Sequence, residues 1–532
     1  MEKIFYNGKF YQGRDMFKQA MFVKDGIIEK IGTNEEILSL NKNCELIDLQ
    51  GRTVIPGFND SHLHLEGVGY RLSNLNLYGL QSIDEVIENA KKYIIDNKID
   101  DVLLGNGWNQ DYFVGEKRLL NRHDLDQISR DIPIVFTRVC GHILVANTKA
   151  LEILEIDENT LDVEGGKIIR EDDGFPNGVF CENAMKLFNK FLNTTTAEQR
   201  KKYIKLAIAH ALENGVTSVQ TNDVSGDNFE EVLSAYKEIE KEGKLYIRIT
   251  HQCAFENISA ISRFINNFNE REYNTNFNKI GPIKLFADGS LGARTAYLRD
   301  EYKDDIGNSG VNIYTDEELD EITKYIDSNN RQMLIHAIGD GAIEQVLNSY
   351  EKIINNGNKN RHGIVHLQIT DEEIIAKMKK LECLALVQPI FLNYDIHIVE
   401  DRVGERLAKT SYAFNTLVKK GVHVSLGTDA PVEDLNPFNN IYCAVNRKDL
   451  SGELDKSWNE SEIMDIYDAI DAYTKGSAYV SFEESIKGRL EENYYADFAV
   501  LDDDIFKIDA ERIKDIKTVM TVVGGEIVYR KQ

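Results

Sequence analysis

The stretch "VIPGFNDSHLH", residues 54–64, is an apolar run that closes on two histidines one residue apart, and the fold turns on how it is read. A run of this kind is a strand candidate, and in an extended chain His62 and His64, at i and i+2, project to the same side. The pair is either a claw for one ion or two polar residues closing a strand. The surroundings bear on the choice. Upstream, residues 1–50 alternate short strand-like pieces, "KIFYNGKFY", "QAMFVKDGIIEKIG" and "CELIDLQGRTVIPG", with NG, DG and QG marking tight turns. "GRLEENYYADFAVLD" and "TVMTVVGGEIVYRKQ" repeat the pattern at the other end. Two β-rich ends around a different middle predict one small β-sandwich built from both termini, residues 1–55 and 487–532.

Downstream of His64 the chain offers seven more apolar runs: "GVTSVQTND" (215–223), "LYIRITHQCA" (245–254), "GPIKLFADGS" (281–290), "RQMLIHAIGD" (331–340), "RHGIVHLQ" (361–368), "CLALVQPIF" (383–391) and "HVSLGTDAP" (423–431). With the first, that makes eight. Amphipathic segments such as "TAEQRKKYIKLAIAHALENG" and "TDEELDEITKYIDSNN" lie between several of them, each opened by a Thr cap. Eight strands with intervening helices predict a (β/α)8 TIM-like barrel over residues 56–486. The stretch from about 70 to 200 is too long for a first strand-to-helix connection. It predicts an inserted subdomain after the first barrel strand, carrying "GNGWNQDYF", "RVCGHILVANTKALE" and "DGFPNGVFCENAM".

The 532 residues, 42% hydrophobic and 28% charged, are those of a globular protein with a sizeable core. Sixty-two basic against 88 acidic residues leave a formal charge of −26, which opposes binding to nucleic acid or an anionic membrane. The six cysteines are far apart and form no CxxC pair, as buried thiols of a reducing cytosol would. The first residues lack the apolar core of a signal peptide, and no apolar run approaches membrane-spanning length, so a cytoplasmic location is expected. The apolar helices outside the barrel suit a core or a homodimer face equally.

In such a barrel, chemistry gathers at the C-terminal ends of the strands. Reading each strand to its end picks out His62 and His64 after the first, Lys284 in the fourth, His336 after the fifth, His366 after the sixth and Asp429 after the eighth. Four imidazoles, a lysine and a carboxylate at one mouth form a ligand set for divalent metals, zinc foremost. Singly each has a plain reading: an HxH pair or a lone His336 also serves as a satisfied polar residue, and Asp429 also suits a helix cap. Lys284 is harder to explain away. An inward lysine is an expensive unpaired charge unless it is neutralised or paired, and carbamylation by CO₂ would make it an anionic bridging ligand.

In this order, "PGFNDSHLH", "IKLFADGSLGARTA", "HAIGD", "RHGIVHLQ" and "GTDAPVEDLNPF" resemble the amidohydrolase superfamily, and within it the amidohydrolase-3 branch of YtcJ-like and N-substituted formamide deformylase-like sequences. The resemblance covers nearly the whole chain. It implies a metal-dependent hydrolase that cleaves a formamide-like C–N amide bond of a small molecule with a metal-activated hydroxide. Carried over residue by residue, it implies that His62, His64 and Asp429 hold a first zinc, that His336 and His366 hold a second, and that carbamylated Lys284 bridges them. Asp429 would also move the proton. Trp108 and His142 of the insert would face the substrate, and Arg294 would do so or stabilise a turn. One departure stands out: Val365 precedes His366 where many branch members carry Glu.

Two rivals remain. A cyclic imide hydrolase or a deaminase of a heterocyclic amine uses the same metal logic, and a metal-free barrel would be a binding scaffold. A serine nucleophile is disfavoured because "DGSLG" does not spell GxSxG, and no phosphate-binding fingerprint is present.

Overall fold

The first two sequence runs around Gly57 belong to different sheets. In the computed structural model, which describes residues 2–40, 43–138, 143–163, 165–192, 195–226, 229–255, 257–452 and 454–531, Thr53–Pro56 lies in a sheet with strands from both chain ends, and Phe58–Leu63 begins the barrel. Gly57 is the corner. A Cβ there would lie 2.1 Å from Thr217 Oγ1, so no side chain fits between the two sheets.

The barrel is one parallel eight-stranded sheet in chain order: β1 (Phe58–Leu63), β2 (Val216–Ser225), β3 (Arg248–Ala254), β4 (Asn278–Phe286), β5 (Met333–Ala337), β6 (Gly363–His366), β7 (Leu384–Val387) and β8 (His423–Leu426). All eight predicted runs contribute a strand. β1, β3, β6 and β7 are buried along their whole length, as strands of a helix-covered parallel sheet should be. Helices Asp316–Ser328, Asp340–Ile353 and Glu372–Lys380 connect later strands, and Thr315 and Glu318 form a reciprocal cap on the first of these.

β1 and β8 sit at opposite edges of the sheet, and main-chain and side-chain hydrogen bonds bridge the seam between them. The Asp429 amide donates to His62 O at 2.8 Å and the His64 amide to Ala430 O at 2.7 Å. The fully buried Asp60 carboxylate accepts from the Thr428 amide and hydroxyl, the His62 amide and the Tyr473 hydroxyl. Burial pushes Asp60 up to about 7 against those donors. At the opposite end, the helical turn Ser477–Val480 seals the floor. Its carbonyls receive side-chain donors from the barrel: Ser477 O from Gln220, Tyr479 O from Arg361, Val480 O from Gln332 and Ser481 O from Lys279, at 2.5–3.1 Å. Val480 packs among Leu334, Val365, Leu384 and Leu386.

Residues from both ends make the two remaining sheets of this unit. One runs Ile27–Gly32, Ala20–Lys24, Glu2–Tyr6, Glu45–Asp48; the other runs Glu526–Arg530, Thr518–Val523, Phe498–Leu501, Thr53–Pro56, Lys9–Gly13, Met16–Lys18. Their shared core includes Phe5, Phe10, Val54 and Val522, with Phe5 edge-on to Phe498 at 4.9 Å.

Residues 68–206 form a separate compact unit, the insert after β1. It holds a six-stranded mixed sheet, Gly166–Arg170, Pro176–Glu182, Ile143–Ala146, Ile134–Arg138, Leu103–Trp108 and Leu75–Asn76. No helix among the described residues is long and apolar enough to cross a membrane. Cys44, Cys181, Cys253, Cys383 and Cys443 are free thiols; Cys140 lies outside the described residues.

Candidate metal centre

His62 stands at the end of β1 because alternation along the strand turns it inward, and its ring is nearly inaccessible. Its Nδ1–H donates to Gln252 Oε1 at 2.7 Å. The glutamine cannot be flipped, because its Nε2 donates to Ser61 O at 2.9 Å and a carbonyl only accepts. His366 repeats the arrangement after β6: Nδ1–H donates to Gln388 Oε1 at 2.8 Å, and Gln388 Nε2 is tied to Leu386 O at 3.1 Å. His64 donates Nδ1–H to Asn222 O at 3.1 Å. His62 and His366 therefore keep an Nε2 lone pair unused.

Those lone pairs converge on one carboxylate. Asp429 Oδ1 is 3.4 Å from His62 Nε2 and 3.2 Å from His64 Nε2, is buried, and has no hydrogen-bond partner. Ligand atoms of His62, His366 and Asp429 all lie within 4.8 Å of one another. Electron-rich atoms facing each other without an intervening proton repel unless a cation joins them. The residues present thus fit a divalent metal ion. The backbone is bent to aim them, with positive φ at His366 (77°), Leu367 (49°) and Asp429 (57°).

Protonation follows the same geometry. Burial lowers His62 to about 3 and His366 well below the ordinary imidazole value, keeping both as neutral donors. Burial acts against protonation of His64 too, but the adjoining Asp429 and Asp223 outweigh it and raise its pKa. Burial alone would raise Asp429; the neighbouring His64, whose protonated form the same contact favours, leads the imidazoles that hold it below the usual carboxylate range.

His336, after β5, presents its other nitrogen. Its Nε2–H donates to Gly289 O at 3.0 Å, with Asp288 Oδ1 at 3.3 Å, so Nδ1 is the free atom; the ring packs against His366 with centroids 4.5 Å apart. Lys284, on β4, is fully buried. Its Nζ lies 3.5 Å from Leu285 O and 3.9 Å from the Phe286 ring centroid, and burial lowers it to about 7 despite Asp429 and Asp288.

Arg294 and Trp108 each have protein partners of their own. Arg294 lies in a turn with φ 56° and is engaged by Asp304 at 2.9 Å. Trp108, expected to face substrate, is fully buried in the insert's own core beside Leu77, Leu120 and Phe136, with Nε1–H near Phe136 O at 3.4 Å. Its bulk is used for packing. His142 lies outside the described residues. His362, at the start of the run that ends in His366, sits just before β6: its Nδ1 accepts from the Met333 amide and its Nε2–H faces Asp327. Sequence reasoning missed Gln252, Gln388, Asp60 and Asp288. The last accepts from the Ile338, Gly339 and Tyr297 amides. The one available signal was a polar side chain within or just beyond a predicted strand, which must find a partner when buried.

Comparison with known proteins adds the family. The amidohydrolase family model matches residues 45–529, nearly the whole chain. The chain belongs to the amidohydrolase family. Among relatives, the YtcJ protein of Bacillus subtilis (strain 168) is 34% identical over 521 residues, 96% of each chain. The N-substituted formamide deformylase of Arthrobacter pascens is 23% identical, covering 99% of this chain and 97% of its own. Among solved structures, a metal-dependent hydrolase of Pyrococcus horikoshii superposes with a TM-score of 0.77 at 31% identity, covering 96% of this chain and 99% of that one. Family membership makes the chain a hydrolase acting on carbon–nitrogen bonds, with a barrel of the kind the family's metal hydrolases share.

Proposed function

We infer that this enzyme hydrolyses an acyclic, formamide-like amide of a small molecule, using two divalent ions, zinc foremost. The observation that carries the reading is the buried, partnerless Asp429 Oδ1 facing imidazole lone pairs fixed by their own hydrogen bonds. His62, His64 and Asp429 would hold one ion and His336 and His366 the other, with Lys284 between them as a carbamate. Bound metal supplies Lewis acidity, which lowers the pKa of water and polarises a carbonyl. The formamide class rests on likeness to the deformylase.

The chain's own residues do the rest. Asp429, kept ionised by its imidazole neighbours and anchored through its amide to His62 O, takes a proton from the attacking water and returns it to the leaving nitrogen. Water adds across the C–N bond, giving a carboxylate and an amine. Phe286 and Phe391, with rings 5.7 Å from His336 and 5.9 Å from His366, line the site with apolar surface. We place the enzyme in a reducing cytoplasm, consistent with five free thiols.

The test is metal analysis of purified protein after reconstitution with zinc and bicarbonate, followed by an amide-library screen. About two equivalents per chain with carboxylate release supports the reading. Ammonia released without a new carboxylate would move it to deamination, and no bound metal under any condition would overturn it.

A further inference from the structure

The two imidazoles most deeply set in the site are held by a matched pair of uncharged amides on different strands. Gln252 comes from β3 and Gln388 from the end of β7, and both are buried, at 0% and 2% exposure. Each points Oε1 at a ring Nδ1, at 2.7 and 2.8 Å, and each is locked in that sense because its Nε2 donates to a main-chain carbonyl. A third amide braces the first: Asn222 Nδ2 donates to Gln252 O at 2.9 Å, while Asn222 O receives the His64 proton. Rings that donate to a carboxylate gain basicity and bring a negative charge with them. An amide orients the ring equally well and adds none.

We propose that Gln252 and Gln388 are positioning residues that hold His62 and His366 as Nδ1–H tautomers, and so aim both Nε2 atoms at Asp429 while leaving the charge of the centre to Asp429 and Lys284. The proposal rests on the metal reading for its purpose, but the tautomers are a property of the protein itself. Without the amides each ring is free to place its proton on Nε2, which withdraws that lone pair from the site; for His62 the unpartnered Asp429 Oδ1, 3.4 Å away, would accept it.

The experiment has two independent readouts. Long-range proton–nitrogen NMR of the metal-free enzyme with labelled histidine reports the tautomer of each ring. The expected result is Nδ1–H for His62 and His366, and an Nε2–H signal on either in the unaltered protein overturns the proposal without any variant. Gln388→Met and Gln252→Met should then shift their own ring toward Nε2–H and weaken zinc about 10- to 100-fold in chelator competition. Gln388→Glu, which keeps an acceptor, should restore the tautomer. Tautomer and affinity both unchanged in folded methionine variants would reduce the glutamines to packing. If the unaltered enzyme binds no metal, the functional reading falls, while the NMR result still decides this one.

Discussion

Lys279 and Lys284 stand on the same strand, β4, at opposite ends of the barrel. At the floor, Lys279 donates to Ser481 O at 2.7 Å and has Glu483 at 4.0 Å, with about a third of its side chain exposed. At the mouth, Lys284 has no exposed surface and no acceptor nearer than Leu285 O at 3.5 Å. Burial lowers both, Lys284 to about 7. The floor lysine meets a helix-end carbonyl that would otherwise lack a donor, so its burial contributes to holding the barrel shut. The mouth lysine is held where nothing in the protein completes it. Polar groups matched by protein at one end and left open at the other are the physical form of the rule that such barrels keep stability at the floor and chemistry at the mouth.

The sharpest way to break this contrast is Lys284→Met. Metal loading should drop from about two equivalents to none by mass spectrometry, while the metal-free protein becomes more stable at pH 6 in CO₂-free buffer. The sign follows from linkage. With the folded lysine near 7 and the unfolded one near ~10.4, the unfolded chain carries the extra proton between those values. The stability advantage of the variant over the unaltered metal-free protein should therefore be fully present below about pH 7 and shrink by a few kcal/mol between about 7 and ~10.4, since the buried thiols and phenols titrate alike in both. Urea unfolding of the pair across that range checks it, and a difference that stays constant with pH would remove the mouth lysine from the contrast. Next in size, Asp429→Asn should retain metal and lose turnover by about 10³-fold in steady-state assays; near-normal kcat would exclude Asp429 as the proton carrier.

Trp108→Ala sharpens the comparison from outside the barrel. It should cost the insert about 3–5 kcal/mol, read by calorimetry, with metal content unchanged. The smallest effect belongs to Lys279→Met, about 1–2 kcal/mol of stability with metal binding untouched. Metal loss in that variant would show that floor and mouth are coupled through β4.

The barrel was legible in the sequence because eight strand-like runs recur with helical and turn signals between them, and His62, His64, His336, His366 and Asp429 stand at or near the ends of those strands while Lys284 lies within β4. What stayed hidden depends on partners distant in the chain. "VIPGFNDSHLH" reads as one strand, but its halves belong to two sheets because Thr217, from β2, fills the space beside Gly57. Gln252 and Gln388 carry no motif; an amide within or just beyond a strand is unremarkable until an imidazole proton is found 2.7 or 2.8 Å away. The floor turn Ser477–Val480 draws its donors from β2, β4 and the approaches to β5 and β6, which no local pattern announces. The burial of Trp108 in the insert's core, beside Leu77 and Phe136, is likewise not announced by the motif around it.

The sheet that joins the two ends of the chain also sets a timetable. Thr53–Pro56, which runs through Gly57 into the barrel's first strand, pairs on one side with Lys9–Gly13 and on the other with Phe498–Leu501. On the ribosome the first neighbour is present at once, and the second arrives only after roughly 440 further residues, on the order of 20–90 s at ~5–20 residues per second. Throughout that interval an apolar strand edge is open to other chains. A chain cut short before Phe498 would leave that edge unpaired for good, beside the strand that carries His62.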